Sequence, residues 1–75
     1  MLLSPDDDLE VRHVQPYEAV KPYRCPGCDH EIRSGEGHEV VVPTAAPDHR
    51  RHWHSGCWQR EARRLERERA RRPRP

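Results

Sequence analysis

The chain contains no phenylalanine, no asparagine and a single methionine, and its aromatic side chains are two tryptophans and two tyrosines. Hydrophobic residues make up 32% of its 75 positions, fewer than the 36% that are charged. A chain this short and this poor in apolar side chains cannot bury a core large enough to offset the entropy of ordering itself, so it needs a staple. The three cysteines cannot all pair within one chain, which argues against a disulfide scaffold and for a reducing compartment. No apolar run approaches membrane-spanning length. Met1-Leu2-Leu3 is followed at once by Ser4-Pro5-Asp6-Asp7-Asp8, which is not a secretory leader, and the expected location is the cytoplasm.

The staple is visible in two short stretches, Cys25-Pro26-Gly27-Cys28 and His52-Trp53-His54-Ser55-Gly56-Cys57-Trp58. They offer a C-x2-C pair and an H-x2-C pair, the three-cysteine, one-histidine set of a closed tetrahedral zinc site. In the first, proline fixes φ and glycine permits a tight turn, so that two thiolates face one point. In the second, Ser55 is a good N-cap, and a helix starting there brings Cys57 back beside His54. His52, His54 and His38 all lie within reach of the fourth position. The H-x2-C spacing selects His54, with His52 as an alternative ligand or as the group that orients the ligand. His13, His30 and His49 are expected at the surface. One structural zinc ion contributes on the order of 10–16 kcal/mol of apparent binding energy, more than the whole stability of a typical domain.

Around this site the chain divides into an acidic N-terminal arm, 1–20, a zinc-binding domain, 21–62, and an arginine-rich helical extension and tail, 63–75. The first eight residues are expected to be disordered, and Val11 to Gln15 to form either a short edge strand limited by Pro16 or part of the same arm. Glu31-Ile32-Arg33 is extended, Ser34 to Gly37 is a turn, and His38 to Val42 is the clearest strand signal, with Arg50 to His54 returning beside it. From Ser55 onward Trp58, Ala62 and Leu65 follow helical spacing, and Glu-Arg pairs at the same spacing carry the helix on until Pro73 stops it. The expected fold is a small α+β zinc-stabilised domain of treble-clef type: zinc knuckle, β-hairpin and C-terminal α-helix around one metal.

Residues Tyr23 to Trp58 resemble the LIM and poly(ADP-ribose) polymerase-type zinc fingers. The likeness rests on Cys25-x2-Cys28, Ile32 before a glycine turn, the valine strand, and Trp53-His54-x2-Cys57 followed by Trp58. It implies zinc ligands at Cys25, Cys28, His54 and Cys57. LIM domains carry a second zinc half-site directly after the position of Cys57, and this chain has no cysteine left for one. The whole chain is also similar to small single-finger proteins of high-GC bacteria, some of which carry an ATP/GTP-binding label. That label is not transferable, because the chain has no G-x4-G-K-[ST] loop.

Residues 60–75 hold eight arginines against three glutamates, a net of +5 in a chain whose total is +1. A basic end beside a zinc module points to nucleic acid, RNA first, or to a ribonucleoprotein surface. The candidate contacts are Arg63, Arg64, Arg67, Arg71 and Arg72, extended by Lys21, Arg33, Arg50 and Arg51. The alternative is a protein-interaction adaptor that uses the hairpin and the charged arms. Neither reading calls for a membrane or a small-molecule substrate. A metal-dependent nuclease of the His-Asn-His type ranks last: only Asp48-His49 resembles its motif, the chain has no asparagine, and a four-ligand zinc leaves no position for water. The expected protein is therefore not an enzyme.

Overall fold

The computed structural model describes residues 7–71. The expectations for residues 1–6, Arg72 and Pro73 lie outside that range. Among the described residues five strands and one α-helix follow in order: β1 (Leu9–Val14), β2 (Tyr23–Arg24), β3 (Glu31–Ile32), β4 (His38–Pro43), β5 (Arg51–Trp53) and α1 (Ser55–Arg71). The protein is a small α+β unit with two antiparallel sheets, β1-β4-β5 and β2-β3.

The valine run makes β4 the centre of the larger sheet, because β-branched side chains fit a pleated, half-buried surface. Val41 is 1% exposed and faces the core, while Val40 and Val42 face the other way and are half-buried. On one side β4 pairs with β5 (Glu39 with Trp53, Val41 with Arg51), as the return of the chain after Pro47 requires. On its other side β4 pairs along its whole length with β1, from Leu9 opposite Pro43 to Val14 opposite His38. This strand starts two residues before the expected Val11, and Pro16 stops it by opening a 3-10 turn, Pro16–Glu18. Even Asp8 is held, its carbonyl accepting the Thr44 N–H at 2.9 Å.

The core is one cluster of Cys25, Ile32, Val41, Trp53 and Cys57, with Leu9, Tyr23, Cys28 and Trp58 packed against it. Two of these buried residues are the thiols of the C-x2-C and H-x2-C stretches, so the core and the expected site are one place. Trp58 meets Trp53 edge to face, with centroids 5.5 Å apart, a favourable arrangement for aromatic quadrupoles. The helix buries Cys57, Glu61 and Leu65, so the expected stripe of Trp58, Ala62 and Leu65 is corrected at its middle. Glu61 is 6% exposed and accepts from Nε and Nη2 of Arg64, each at 2.9 Å. That bidentate, charge-assisted pair makes the buried carboxylate tolerable.

Candidate metal centre

Three separate elements bring four donors together. Cys25 and Cys28 sit in the turn between β2 and β3, where the Cys25 N–H donates to the His30 carbonyl and the Asp29 N–H to the Cys25 carbonyl. Asp29 closes this turn at φ 61, a left-handed conformation that Asp and Asn accept more readily than most residues. His54 follows β5, and Cys57 lies in the first turn of α1. The Trp58 N–H donates to the His54 carbonyl at 2.9 Å, which makes His54 the N-cap. Ser55, expected to cap, instead donates its Oγ–H to Glu39 Oε2 at 2.7 Å and ties the helix start to β4.

The Sγ atoms of Cys25, Cys28 and Cys57 and a ring nitrogen of His54 all lie within 4.8 Å of one another. His54 Nδ1 is 3.3 Å from Cys28 Sγ and 3.9 Å from Cys57 Sγ. Bond lengths of about 2.3 Å to sulfur and 2.0 Å to nitrogen give a tetrahedral edge of about 3.5 Å, so these separations suit four ligands around one ion. The other ring nitrogen, Nε2, is 3.2 Å from the Glu31 carbonyl. A carbonyl can only accept, so Nε2 carries the proton and Nδ1 presents its lone pair to the sulfurs. The outer hydrogen bond therefore sets both the tautomer and the ring orientation. Four residues from three elements can hold one metal ion here.

Charge within the group is uneven. Burial pushes the Cys25 thiol up, but the backbone N–H groups of His54, Cys28 and Gly27 and the His54 ring outweigh it, bringing the thiol from 9.0 down to about 7. Cys57 goes the other way, to about 11, because of burial and then the neighbouring Cys25 and Cys28. Arg60 Nη2 lies 3.3 Å from Cys57 Sγ and offers a cation to that thiolate once it forms. The Arg60 contact was legible only as an i, i+3 spacing from a ligand.

Gly27 has a different role from the one its turn suggests. Its φ is not positive; a Cβ there would meet Cys57 Cβ at 2.9 Å and the Trp53 ring at 3.1 Å. The knuckle needs glycine for the close approach of the helix and the buried tryptophan. Gly27→Ala is expected to cost about 1–3 kcal/mol by overpacking, measured by denaturant unfolding of the metal-loaded chain. Unchanged stability would mean that the turn can retreat without loss.

The remaining histidines stay out of the cluster. His38, 1% exposed, lies with Nδ1 2.9 Å from the Glu36 carbonyl and Nε2 2.8 Å from His52 Nδ1. By the same logic of the carbonyl, His38 accepts at Nε2 and the His52 Nδ1–H donates. His52 stacks on Tyr23, with centroids 3.4 Å apart and planes 5° from parallel. It is thus neither a ligand nor the group orienting His54. The strand alternation that would put both rings on one face ends at Trp53, where the chain turns into the helix cap. Burial, then His38 and Arg50, hold the His52 pKa down. His13 reaches across to Glu39 at 2.6 Å.

The expected contact residues fall on several surfaces. Lys21 and Arg50 join Arg12 around a groove of about 650 Å³ on the Val40 and Val42 face of the sheet, while Arg51 lines a separate hollow beside Trp53 and Pro26. Arg33 opens the turn that leads from β3 of one sheet to β4 of the other, its backbone N–H donating to Glu36 Oε1. Arg63, Arg67 and Arg71 are exposed on α1, and Arg64 is paired with Glu61.

The model of the Rv1322 family matches residues 3–59, a span that contains all four donors. The chain belongs to the Rv1322 family. It is 59% identical over 64 residues to "Uncharacterized protein Mb1356" of Mycobacterium bovis and to "Uncharacterized protein Rv1322" of Mycobacterium tuberculosis. Those alignments cover 79% of this chain and 65% of each relative, so the chain spans just under two thirds of the length of the relatives it matches. No solved structure matches it. Among the described residues no helix is long and apolar enough to cross a membrane.

Proposed function

We propose that this member of the family is a small zinc-finger protein of treble-clef type that binds nucleic acid, RNA first, along its C-terminal helix. In this reading one structural zinc joins Cys25, Cys28, His54 and Cys57. All-sulfur-and-nitrogen donor sets favour zinc over the harder cations, and four protein donors leave no place for a reactive water. The zinc supplies folding energy, and recognition belongs to the surface it supports.

The observation that carries the reading is the distribution of charge around α1. Arg60, Arg64, Arg67 and Arg71 recur at helical spacing and form one stripe about 16 Å long, with Arg63 at its side. In the linear sequence glutamates interrupt these arginines. In space one glutamate, Glu61, is bonded to Arg64 within the stripe, while Arg60, Arg67 and Arg71 are exposed. At about 100° per residue Glu68 lies about 70° and Glu66 about 130° away from the stripe. Glu61 is buried under Arg64. A basic ridge of this length suits consecutive phosphates, which are contacted without base readout.

The test is a salt titration of the metal-loaded chain against short RNA and DNA, single-stranded and duplex. The comparison is a variant with Arg63→Gln, Arg67→Gln and Arg71→Gln, three exposed positions outside the core. The expected result is binding that weakens log-linearly with salt, with a slope reduced by about 2 to 3 in the variant, since each lost phosphate contact removes about 0.7 to 0.9. Absence of binding at low salt, or an unaltered slope in the variant, would remove this reading.

A further inference from the structure

The β1 edge of the three-stranded sheet is open. Its order is β1-β4-β5, and among the described residues no hydrogen bond reaches the side of β1 that faces away from β4. Four of its six residues, Glu10 to His13, are exposed, and Val11 keeps 42% of its surface despite lying on the same face as the buried Val41. Glu10 and Arg12 have no ion-pair partner among the described residues. A six-residue edge with an exposed valine between two unpaired opposite charges is a template for another strand.

We infer that this edge pairs with β1 of a second copy of the chain, antiparallel, about a two-fold axis through Val11. The register follows from geometry and charge. In an antiparallel ladder alternate residues turn their N–H and C=O groups to opposite sides of the strand. Only residues of the same parity can then face each other across the new edge, so the axis must pass through a residue and not between two. Near the middle of β1 the choices are Glu10, Val11 and Arg12. An axis at Glu10 sets two glutamates face to face, and one at Arg12 sets two arginines face to face. An axis at Val11 places Glu10 opposite Arg12 of the second copy, and the symmetry repeats the pair. It also sets Val11 on its own counterpart and Leu9 opposite His13. Like charges directly opposite on a sheet are unfavourable and opposite ones favourable, so one register is selected. The product is a continuous six-stranded antiparallel sheet with an isologous interface. This inference stands on the strand edge alone and is independent of any nucleic-acid role for the helix.

The experiment is sedimentation equilibrium of the full metal-loaded chain from about 10 μM to 1 mM, the range in which a modest edge contact declares itself. The expected mass rises with concentration toward twice the 8.9 kDa of one chain. Arg12→Glu sets like charges opposite each other twice and is expected to weaken association by about tenfold or more. Combining it with Glu10→Arg restores both pairs with their signs exchanged, and the association with them. Both side chains are exposed, so a matching far-UV spectrum should show that the variants fold. A chain that stays monomeric at 1 mM, a dimer indifferent to Arg12→Glu, or a double variant that fails to recover would each overturn the proposal.

Discussion

Removing the metal from the loaded chain is expected to unfold it. Two of the five residues in the core cluster are cysteines of the metal group, and a third donor, Cys28, packs against that cluster. Without an ion to join them, β2, β3, β5 and the helix start would meet only through Ile32, Val41, Trp53 and the residues around them. A structural zinc contributes on the order of 10–16 kcal/mol, whereas a domain's net stability is about 5–15 kcal/mol, so the loss is of the size of the whole stability of a domain. The effect would be read in two ways after treatment with a strong chelator. Far-UV ellipticity should fall as the sheet and helix go. The emission of Trp53, 2% exposed in the fold, should shift to the red as its ring meets water. Cys57→Ala should reach the same end by removing one donor. A native spectrum that persists after metal release has been measured directly would mean that packing alone holds the fold.

The four donors were legible because their spacing is local. Each pair sits within four residues, and turn chemistry at Pro26 and helix chemistry after His54 place the two halves of each pair without reference to the rest of the chain. β4 was legible for a similar reason, three consecutive valines beside a glycine turn. What escaped depends on contacts between distant residues. β1 acquires its length from pairing with β4, whose residues lie about thirty positions later, and no pattern within Leu9 to Val14 announces that partner. The histidines show the same division. His54 follows from its distance to Cys57, but His38 and His52 meet across two strands, and their hydrogen bond and the stack on Tyr23 are tertiary facts. Glu61 is instructive in another way. Its charge argues for solvent, yet its helical position faces inward, and Arg64 one turn on makes that burial acceptable. Gly27 carries a turn signal for a packing reason, which only the position of Trp53 reveals.

Metal affinity should climb steeply with pH across the neutral range, and the two displaced thiol pKa values give the slope. Cys57 is held up to about 11, so at pH 7 to 8 it carries a proton that an incoming ion must displace. Cys25 sits at about 7 and carries its own proton only below that value. The metal-free protein therefore binds more protons than the complex, and the sign is fixed: affinity rises as protons become scarce. Between pH 7 and 11 Cys57 alone contributes about a tenfold gain per unit, and below pH 7 Cys25 adds a second factor of about ten. From pH 6 to 8 these two thiols together predict a gain of two to three orders of magnitude, with about one proton released per ion at the upper end from Cys57. Competition against a chromophoric chelator, corrected for the chelator's own titration, measures the affinity, and a pH indicator in weak buffer counts the protons. A gain of only about tenfold from pH 6 to 8, the share of Cys25 alone, would mean that Cys57 is already a thiolate before the ion arrives. In that case Arg60, 3.3 Å from its sulfur, would be the group to replace next, because a neutral glutamine there would return the thiol to its protonated state and restore the slope.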